Sequence, residues 1–216
     1  MFALPNALTI LRIVLVPVFV IAFVIPGEAA RLVAFAVFVI AAVSDWLDGF
    51  AARKLKAGSD FGRMLDPIAD KVLVAVALMM LVAEGTFTRY NSTTGMLSLL
   101  RLFPALIILG REILVSGLRE FLAGTRVSVP VTAVAKFKTA VQMIAIGAMI
   151  LTPLVGEYAP DLPAKTYIAV AYALLWIAAA LTVYTGVIYF KNGMAYLRPG
   201  PTPEIREEPP RLHEPA

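Results

Sequence analysis

The segment that decides the fold is SDWLDGFAARKLKAGSDFGRMLDPIADK, residues 44–71, which contains Asp45, Asp48, Asp66 and Asp70. Long apolar runs precede and follow this segment. A carboxylate at membrane depth costs roughly 2.5–3.5 kcal/mol even on lenient insertion scales. Several carboxylates gathered beside such apolar runs therefore indicate a functional site.

The spacing of the aspartates predicts two acidic helix faces. Within helices, Asp45 and Asp48 stand at i and i+3, and Asp66 and Asp70 stand at i and i+4, so each pair shares one face. The polar connection KAGSDF is short, which predicts antiparallel neighbouring helices whose acidic faces meet. Converging carboxylates repel one another unless cations intervene, and hard oxygen ligands suit Mg²⁺ or Mn²⁺. Two such ions, about 3.5–4 Å apart, are typical of phosphoryl transfer.

Ordinary surface ion pairing is the alternative interpretation of these carboxylates. It would pair Asp45 with Arg53, Asp66 with Arg63, and Asp70 with Lys71. Such exposed pairs contribute little stability, and they leave the intervening small residues unexplained. Gly49 and Ala52 would let a phosphate or a flat base approach the backbone closely. Arg53 is then available for a diphosphate and Gly62 eases the turn, although plain helix packing also accounts for each position singly.

The complete spacing resembles the signature of the CDP-alcohol phosphotransferase family, which comprises integral membrane enzymes of phospholipid synthesis. The matching positions are Asp45, Asp48-Gly49, Ala52-Arg53, Gly62, Asp66 and Asp70. The resemblance implies two Mg²⁺ or Mn²⁺ ions bridged by Asp45 and Asp66, with Asp48 completing one ion and Asp70 the other. It also implies that Asp70 acts as the catalytic general base. The CDP-diacylglycerol contacts implied in this segment are Asp48, Gly49, Ala52, Arg53 and Gly62.

The composition predicts an all-α integral membrane protein. The chain has 216 residues, of which 60% are hydrophobic, and its mean hydropathy is +0.82, which is too apolar for a soluble domain of this length. The predicted spans are residues 4–25, 31–54, 64–84, 99–123, 130–153 and 164–190. We therefore expect one membrane domain, residues 1–195, with six transmembrane helices. Residues 196–216 combine proline with both charge signs and are expected to be a disordered cytoplasmic tail.

The distribution of basic residues predicts the orientation. With the amino terminus inside, the only Lys and Arg residues that fall outside are Arg31, Arg89, Arg101 and Lys165. This positive-inside bias places both termini and the aspartates in the cytoplasm, as in a multi-pass protein of a bacterial inner membrane. The net charge of +4 is thereby explained without a nucleic-acid partner, and the absence of cysteine excludes disulfides.

Three further stretches resemble the subgroup of this family that makes phosphatidylglycerol phosphate. They are PNALTILR (residues 5–12), GREILVSGLREFLA (110–123) and KFKTAVQM (136–143). The first stretch implies that Asn6 and Thr9 hydrogen-bond the cytidine diphosphate group. Capping of the first helix is the alternative role for these two residues.

The other two stretches carry basic residues that predict a cationic pocket for glycerol 3-phosphate. Arg111 and Arg119, eight residues apart, are expected on one helix face, and Lys136 and Lys138 open the next helix. Arginine gives forked contacts to phosphate and lysine a point charge. The alternative is membrane anchoring combined with local pairs, such as Arg111 with Glu112 or Arg119 with Glu120.

Together these observations predict transfer of a phosphatidyl group from CDP-diacylglycerol to glycerol 3-phosphate, with release of CMP. Family resemblance also implies a homodimer surrounded by membrane lipids. Inositol phosphate, inositol or serine remain alternative acceptors for the same chemistry. A divalent-cation transporter is the alternative from another class, but a transporter would place ionisable groups nearer the membrane midplane or on both sides of it.

Overall fold

A computed structural model describes residues 4–55, 60–87, 96–124, 133–155 and 163–197. Within these ranges the regular elements are all helical, which confirms the predicted all-α class. The helices are α1 (Leu4–Val24), α2 (Glu28–Leu55), α3 (Asp60–Ala83), α4 (Met96–Gly124), α5 (Ala133–Leu151) and α6 (Ala164–Leu197). A short 3₁₀ turn, Thr152–Leu154, follows α5.

The helix boundaries follow local turn chemistry. Between α1 and α2 the chain passes through Pro26 and Gly27, and Gly27 has a φ of 114° that side-chain-bearing residues rarely adopt. After α3, Gly85 has a φ of 77°, and its N–H donates to the Val82 carbonyl at 3.0 Å in the turn that ends the helix. Helix α6 continues to Leu197, seven residues beyond the predicted end of its span at residue 190, because the stretch from 191 to 197 contains no proline.

The helices pack as two groups that share a common core. Helix α1 packs extensively on α2 and also on α3, while α6 packs on α4 and α5. Contacts between α2 and α5, α3 and α4, and α3 and α5 join the groups. The contact between α2 and α3 is small. Helix α1 packs against both α2 and α3. The predicted meeting of the acidic faces concerns side chains outside the described residues and stays a prediction.

Aromatic and branched side chains fill the core. The Phe19 ring lies 5.5 Å from the Phe23 ring and 6.2 Å from that of Phe38, which links α1 to α2. Leu73 on α3 and Ile146 on α5 are fully buried in the same cluster. Burial of each such side chain contributes about 1.5–3 kcal/mol when the unfolded reference exposes it to water. The gain is smaller when the reference exposes it to lipid.

The outer surface is apolar and the interior contains polar groups. Val134–Leu154 and Ala164–Met194 are long and apolar enough to cross a membrane, and Thr9–Val24 and Lys71–Ala83 are shorter apolar helical stretches. Leu114 is 74% exposed, whereas Arg12 is 1% exposed. Large exposed apolar surfaces on soluble monomers are rare. The exposed apolar surface and the two long apolar helices are consistent with a membrane protein.

An ion pair joins α2 and the turn after α3 at one end of the bundle. Arg31 binds Glu84, and its guanidinium carbon lies 4.0 Å from the centre of the Phe23 ring. Thr86 Oγ1 donates to Glu84 at 2.7 Å, and the Tyr172 hydroxyl donates to the Thr86 carbonyl at 3.2 Å. A cavity of about 580 Å³ lies beside this pair. These contacts tie α2, α3 and α6 together at the end opposite the aspartate motif.

Candidate active site

Asp45 forms a salt bridge with a buried arginine of the first helix. Arg12 Nη1 lies 3.0 Å from Asp45 Oδ1, and the two side chains are 1% and 34% exposed. Thr9, one turn before Arg12, is also buried, so the polar residues of α1 lie on one face. Burial of a guanidinium requires a paired charge. Asp45 therefore has a role in joining α1 to the aspartate motif.

The remaining aspartates are placed by their backbone alone. Asp48 continues α2 one turn after Asp45, and Asp66 and Asp70 lie one turn apart on α3. Both segments are helical, so Asp45 and Asp48 occupy positions on one face of α2, and Asp66 and Asp70 occupy positions on one face of α3. The side chains of Asp48, Asp66 and Asp70 lie outside the described residues, and so do those of Gly49, Ala52, Arg53 and Gly62.

The donor chemistry of this segment fits a hard divalent cation. Carboxylate oxygens at helical i, i+3 and i, i+4 positions are ligands that Mg²⁺ and Mn²⁺ accept, and the sequence of the segment contains no cysteine or histidine. Asp45 is 34% exposed, so its carboxylate is not enclosed by the protein. Within the described residues, the fit of this segment to a divalent cation rests on the partly exposed carboxylate of Asp45.

A second charged cluster, around Glu112 on α4, lies inside the bundle. Glu112 Oε2 is 3.2 Å from Lys71 Nζ, and Glu112 Oε1 is 3.4 Å from Arg111 Nη1 and also binds Lys138 Nζ. The Glu112 side chain is 7% exposed and that of Lys138 is 5% exposed. One carboxylate thus gathers cations from α3, α4 and α5.

Arg111 extends this cluster to α6. Its Nη2 donates to Thr185 Oγ1 at 3.1 Å. A Cβ atom at Gly186 would lie 3.1 Å from Arg111 Cγ and 3.3 Å from its Nε, so a larger residue there would require Arg111 to shift by a few tenths of an ångström. Arg111 Nε is buried and has no hydrogen-bond acceptor among the residues that the structure describes.

The predicted cationic pocket divides into two parts. Arg111 and Lys138 converge on Glu112, whereas the side chains of Arg119 and Lys136 are exposed. At about 100° per residue, eight residues rotate Arg119 roughly 80° from Arg111, and two residues carry Lys136 to the other side of α5 from Lys138. Arg111 and Lys138 therefore lie toward the bundle interior and Arg119 and Lys136 at its surface, while a phosphate pocket made by all four stays a prediction. The alternative pair of Arg111 with Glu112 is present.

The predicted nucleotide contacts at the amino terminus lie on α1. Thr9 is 1% exposed, so a ligand would reach it only between helices. The backbone of Asn6 belongs to α1, and its side chain lies outside the described residues.

Arg12, Glu112 and Lys71 were absent from the site predicted by sequence. The single signal for Glu112 was its position within GREILVSGLREFLA, directly after a basic residue.

Comparisons with known proteins agree with the aspartate spacing. The sequence model of the CDP-alcohol phosphatidyltransferase family matches residues 2–184. A Rickettsia bellii protein named CDP-diacylglycerol--glycerol-3-phosphate 3-phosphatidyltransferase is 43% identical over 194 residues, 89% of this chain and 96% of the relative. Proteins of the same name from Pseudomonas fluorescens and Haemophilus influenzae are 37% and 39% identical, covering 94% and 88% of this chain and 96% and 92% of the relatives.

The chain therefore belongs to the CDP-alcohol phosphatidyltransferase family. This confirms the family predicted from the four aspartates and their accompanying small residues. Members of the family use divalent metal ions, in agreement with the carboxylate donors on α2 and α3.

Proposed function

We propose that this chain transfers the phosphatidyl group of CDP-diacylglycerol to glycerol 3-phosphate, yielding phosphatidylglycerol phosphate and CMP. The observation that carries the proposal is its similarity, along nearly the whole length of both chains, to relatives named for this reaction. The aspartate signature supports the phosphatidyl-transfer chemistry independently of those names.

Asp70 is assigned the role of general base. It takes the proton from the primary hydroxyl of glycerol 3-phosphate, and the resulting oxygen attacks the phosphorus that carries diacylglycerol. The new phosphorus–oxygen bond forms as the bond to CMP breaks, so CMP leaves with the electron pair. Two divalent ions, Mg²⁺ or Mn²⁺, when bound by Asp45, Asp48, Asp66 and Asp70, supply stabilisation of charge on the entering and leaving oxygens.

The donor lipid is assigned to the aspartate segment, residues 44–71, and to the first helix. Arg53 is assigned to the diphosphate, while Gly49, Ala52 and Gly62 leave room for it near the backbone. Asn6 and Thr9 are assigned to the cytidine diphosphate group. Arg12 acts on this site through Asp45, whose carboxylate it holds at 3.0 Å.

The acceptor phosphate is assigned to the basic residues of α4 and α5. Arg111 and Lys138 are the central pair because both are gathered at Glu112 inside the bundle. Arg119 and Lys136, which are exposed, are assigned to the entrance on the cytoplasmic side. A fixed cationic site favours phosphorylated acceptors over inositol or serine.

The proposed arrangement in the cell follows from charge placement. Residues 1–195 form the catalytic membrane domain with six transmembrane helices, and residues 196–216 form a cytoplasmic tail. Both termini and the active site face the cytoplasm from a bacterial inner membrane, which is supported by the positive-inside pattern. The functional unit is a homodimer embedded in membrane lipids, as the family resemblance implies.

The acceptor assay tests this proposal. Purified protein in detergent is supplied with CDP-diacylglycerol, Mg²⁺ and one acceptor at a time: glycerol 3-phosphate, inositol phosphate, inositol or serine. We expect CMP release with glycerol 3-phosphate to exceed that with every other acceptor at least tenfold. Preference for another acceptor would overturn the proposed substrate but leave the chemistry, whereas no CMP release with any acceptor would overturn both.

A further inference from the structure

The cavity beside the Arg31–Glu84 pair is large enough for a small ligand. Its volume of about 580 Å³ lies within the range of about 300–1,000 Å³ that is usual for small-molecule sites. The end of α1, the start of α2, the end of α3 and the 3₁₀ turn after α5 form its walls. Three of its twelve lining residues are charged, and the others are apolar residues or glycine. We call it the Glu28 cavity, after the glutamate that lines it at the start of α2.

The charged residues of the Glu28 cavity carry one unbalanced negative charge. Glu28 and Glu84 contribute −2 and Arg31 contributes +1, which gives a formal sum of −1. Both carboxylate oxygens of Glu84 are engaged, because Oε1 accepts from Arg31 and Oε2 accepts from Thr86 at 2.7 Å. Glu28 forms no ion pair or side-chain hydrogen bond within the described residues. The Glu28 carboxylate is therefore the group that is available to a cationic ligand.

The position of Glu28 on its helix explains the charge but not the cavity. A carboxylate in the first turn of a helix interacts favourably with the helix dipole, and Glu28 lies in that turn of α2. This interaction needs no ligand. It does not account for the open volume with largely apolar walls beside the carboxylate.

The Glu28 cavity borders the apolar outer surface of the bundle. Val24 and Ile25 line the cavity and are 67% and 52% exposed. Ile21, one turn before Ile25, is 61% exposed and extends this apolar surface along α1. In the proposed membrane arrangement, the surface of α1 contacts acyl chains and the helix ends lie at the level of the lipid headgroups. A ligand that fits both features has a cationic head and an apolar chain.

A primary ammonium group fits this carboxylate better than a metal ion does. Mg²⁺ and Ca²⁺ take about six or more oxygen ligands, whereas Glu28 supplies the one carboxylate of the lining that is not already paired within the described residues. An ammonium group donates charge-assisted hydrogen bonds and is balanced by a single carboxylate.

We propose that the Glu28 cavity binds the primary-ammonium headgroup of a membrane phospholipid, with Glu28 as the acceptor and an acyl chain along the surface of α1. The Arg31–Glu84 pair forms a fixed wall of this site, because the Phe23 ring lies 4.0 Å from the Arg31 guanidinium carbon and Thr86 binds Glu84. The site goes beyond the proposed transferase reaction, to which no residue of the cavity is assigned. In the proposed arrangement it faces the outer leaflet, whereas the active site faces the cytoplasm.

The melting temperature of the purified full-length chain in mixed micelles tests this site. Dioleoyl phosphatidylethanolamine, phosphatidylcholine and phosphatidylglycerol are each titrated into the detergent. We expect the ethanolamine lipid to reach half-maximal stabilisation at a roughly tenfold lower mole fraction than the other two, because its ammonium alone donates hydrogen bonds to Glu28. Equal stabilisation by the three lipids would overturn the proposal, since it would indicate general lipid contact only.

Glu28→Gln tests the acceptor. The variant lacks the carboxylate charge, so it should lose the preference for the ethanolamine lipid, with each protein compared with its own lipid-free melting temperature. Glu120→Gln is the matched control, because Glu120 is exposed on α4 and does not line the cavity. It should keep the preference. An unchanged preference in Glu28→Gln would exclude Glu28 as the acceptor and overturn the proposal.

Ala83→Phe tests the cavity without a change of charge. Ala83 lines the cavity at the end of α3, so a phenylalanine there would occupy part of its volume. We expect the variant to lose the lipid preference as Glu28→Gln does. Val82→Phe is the control, because Val82 is 43% exposed and does not line the cavity. If Ala83→Phe kept the preference, the lipid would bind elsewhere and the proposal would fail.

Free ethanolamine and Mg²⁺ distinguish the lipid from other cations. Neither should produce a Glu28-dependent rise in melting temperature that matches the effect of the ethanolamine lipid. A rise of equal size with free ethanolamine would contradict a lipid as the occupant. A Glu28-dependent rise with Mg²⁺, in the absence of any response to the lipid, would contradict the ammonium group and indicate a metal site instead.

Discussion

At the scale of single residues, the structure assigns a structural partner to one of the four aspartates. Arg12 is 1% exposed and lies 3.0 Å from Asp45, so the aspartate motif is coupled to the first helix. The sequence did not predict this pair, because 33 residues separate its members and the helical register of α1 against α2 is set by tertiary packing. Local spacing had suggested Arg53 instead.

Replacement of Asp45 by Asn should abolish turnover while preserving the fold. Asn keeps an oxygen that can accept a hydrogen bond from Arg12, but it removes a charged metal ligand. Because changes in groups that merely support ligands cost 10- to 100-fold, we expect the loss for a ligand to exceed about 100-fold. Asp66→Asn should behave in the same way. The measurement is CMP release together with size-exclusion behaviour in detergent.

Wild-type activity supplies the matched test of the metal. It should vanish in excess chelator and return when Mg²⁺ or Mn²⁺ is added. Full activity in metal-free buffer would contradict the assignment of the aspartates as ligands.

Replacement of Asp70 by Asn separates the proposed base from the other aspartates. The variant loses the group that takes the hydroxyl proton, and general-base catalysis contributes about 10²–10⁴-fold. We therefore expect kcat to fall by at least that factor while measurable binding of CDP-diacylglycerol persists. Equilibrium binding of the labelled lipid and single-turnover rates check the two parts. Near-normal turnover would mean that the proton goes to another group.

At the scale of helices, the packing of α6 against α4 determines where Arg111 lies. Gly186 faces the aliphatic part of Arg111, and an added Cβ would approach Arg111 Cγ to 3.1 Å. Arg111 also receives support from Thr185 through a 3.1 Å hydrogen bond. This contact was not foreseen, since the sequence offers no signal that links a glycine on one helix to an arginine 75 residues earlier.

Gly186→Ala should therefore displace Arg111 and weaken acceptor binding. Pushing a side chain off its preferred rotamer costs about 0.5–1.5 kcal/mol, so the KM for glycerol 3-phosphate should rise about threefold to tenfold. Gly117→Ala on α4 is the control, because nothing lies within 4 Å of the position of its Cβ. That control should leave KM unchanged and stabilise the helix slightly. Equal KM values for the two variants would contradict the packing argument.

The helices themselves were largely predictable, and the charged clusters were not. Long apolar runs bounded by Gly27 and the turn at Gly85 mark helix ends through local chemistry alone. The face of a helix that lies inward depends on the neighbouring helices. For this reason the sequence alone could not predict that Lys138 is buried and Lys136 is exposed. Glu112 was treated as a local partner of Arg111, whereas it joins three helices.

At the scale of the whole molecule, several polar groups are buried beside an apolar core, and large apolar side chains lie on the surface. Arg12, Lys138 and Gln142 are buried, while Leu114 and Ile144 are exposed. The Arg31–Glu84 pair and the cavity beside it lie near the start of α2, and Asp45 lies 14 residues beyond Arg31 along that helix, about 21 Å away. The two ends of the bundle therefore have separate roles, one structural and one proposed to be catalytic.

Removal of the tail tests the proposed domain boundary. Helix α6 ends at Leu197, and the family match ends at residue 184, so a chain truncated after Leu197 retains every residue assigned to the site. We expect its kcat/KM for both substrates to stay within twofold of the full-length protein. A loss of more than tenfold, with unchanged expression and melting temperature, would show that the tail contributes to the active site.

The most direct test of the central claim is identification of the lipid product. Purified protein, CDP-diacylglycerol and ¹³C-labelled glycerol 3-phosphate are incubated with Mg²⁺, and the extracted lipids are analysed by mass spectrometry. We predict labelled phosphatidylglycerol phosphate in amounts equal to the CMP released, and none with Asp70→Asn or with chelator. CMP release without label in the lipid would contradict the account, because the phosphatidyl group would then be going to an acceptor other than glycerol 3-phosphate.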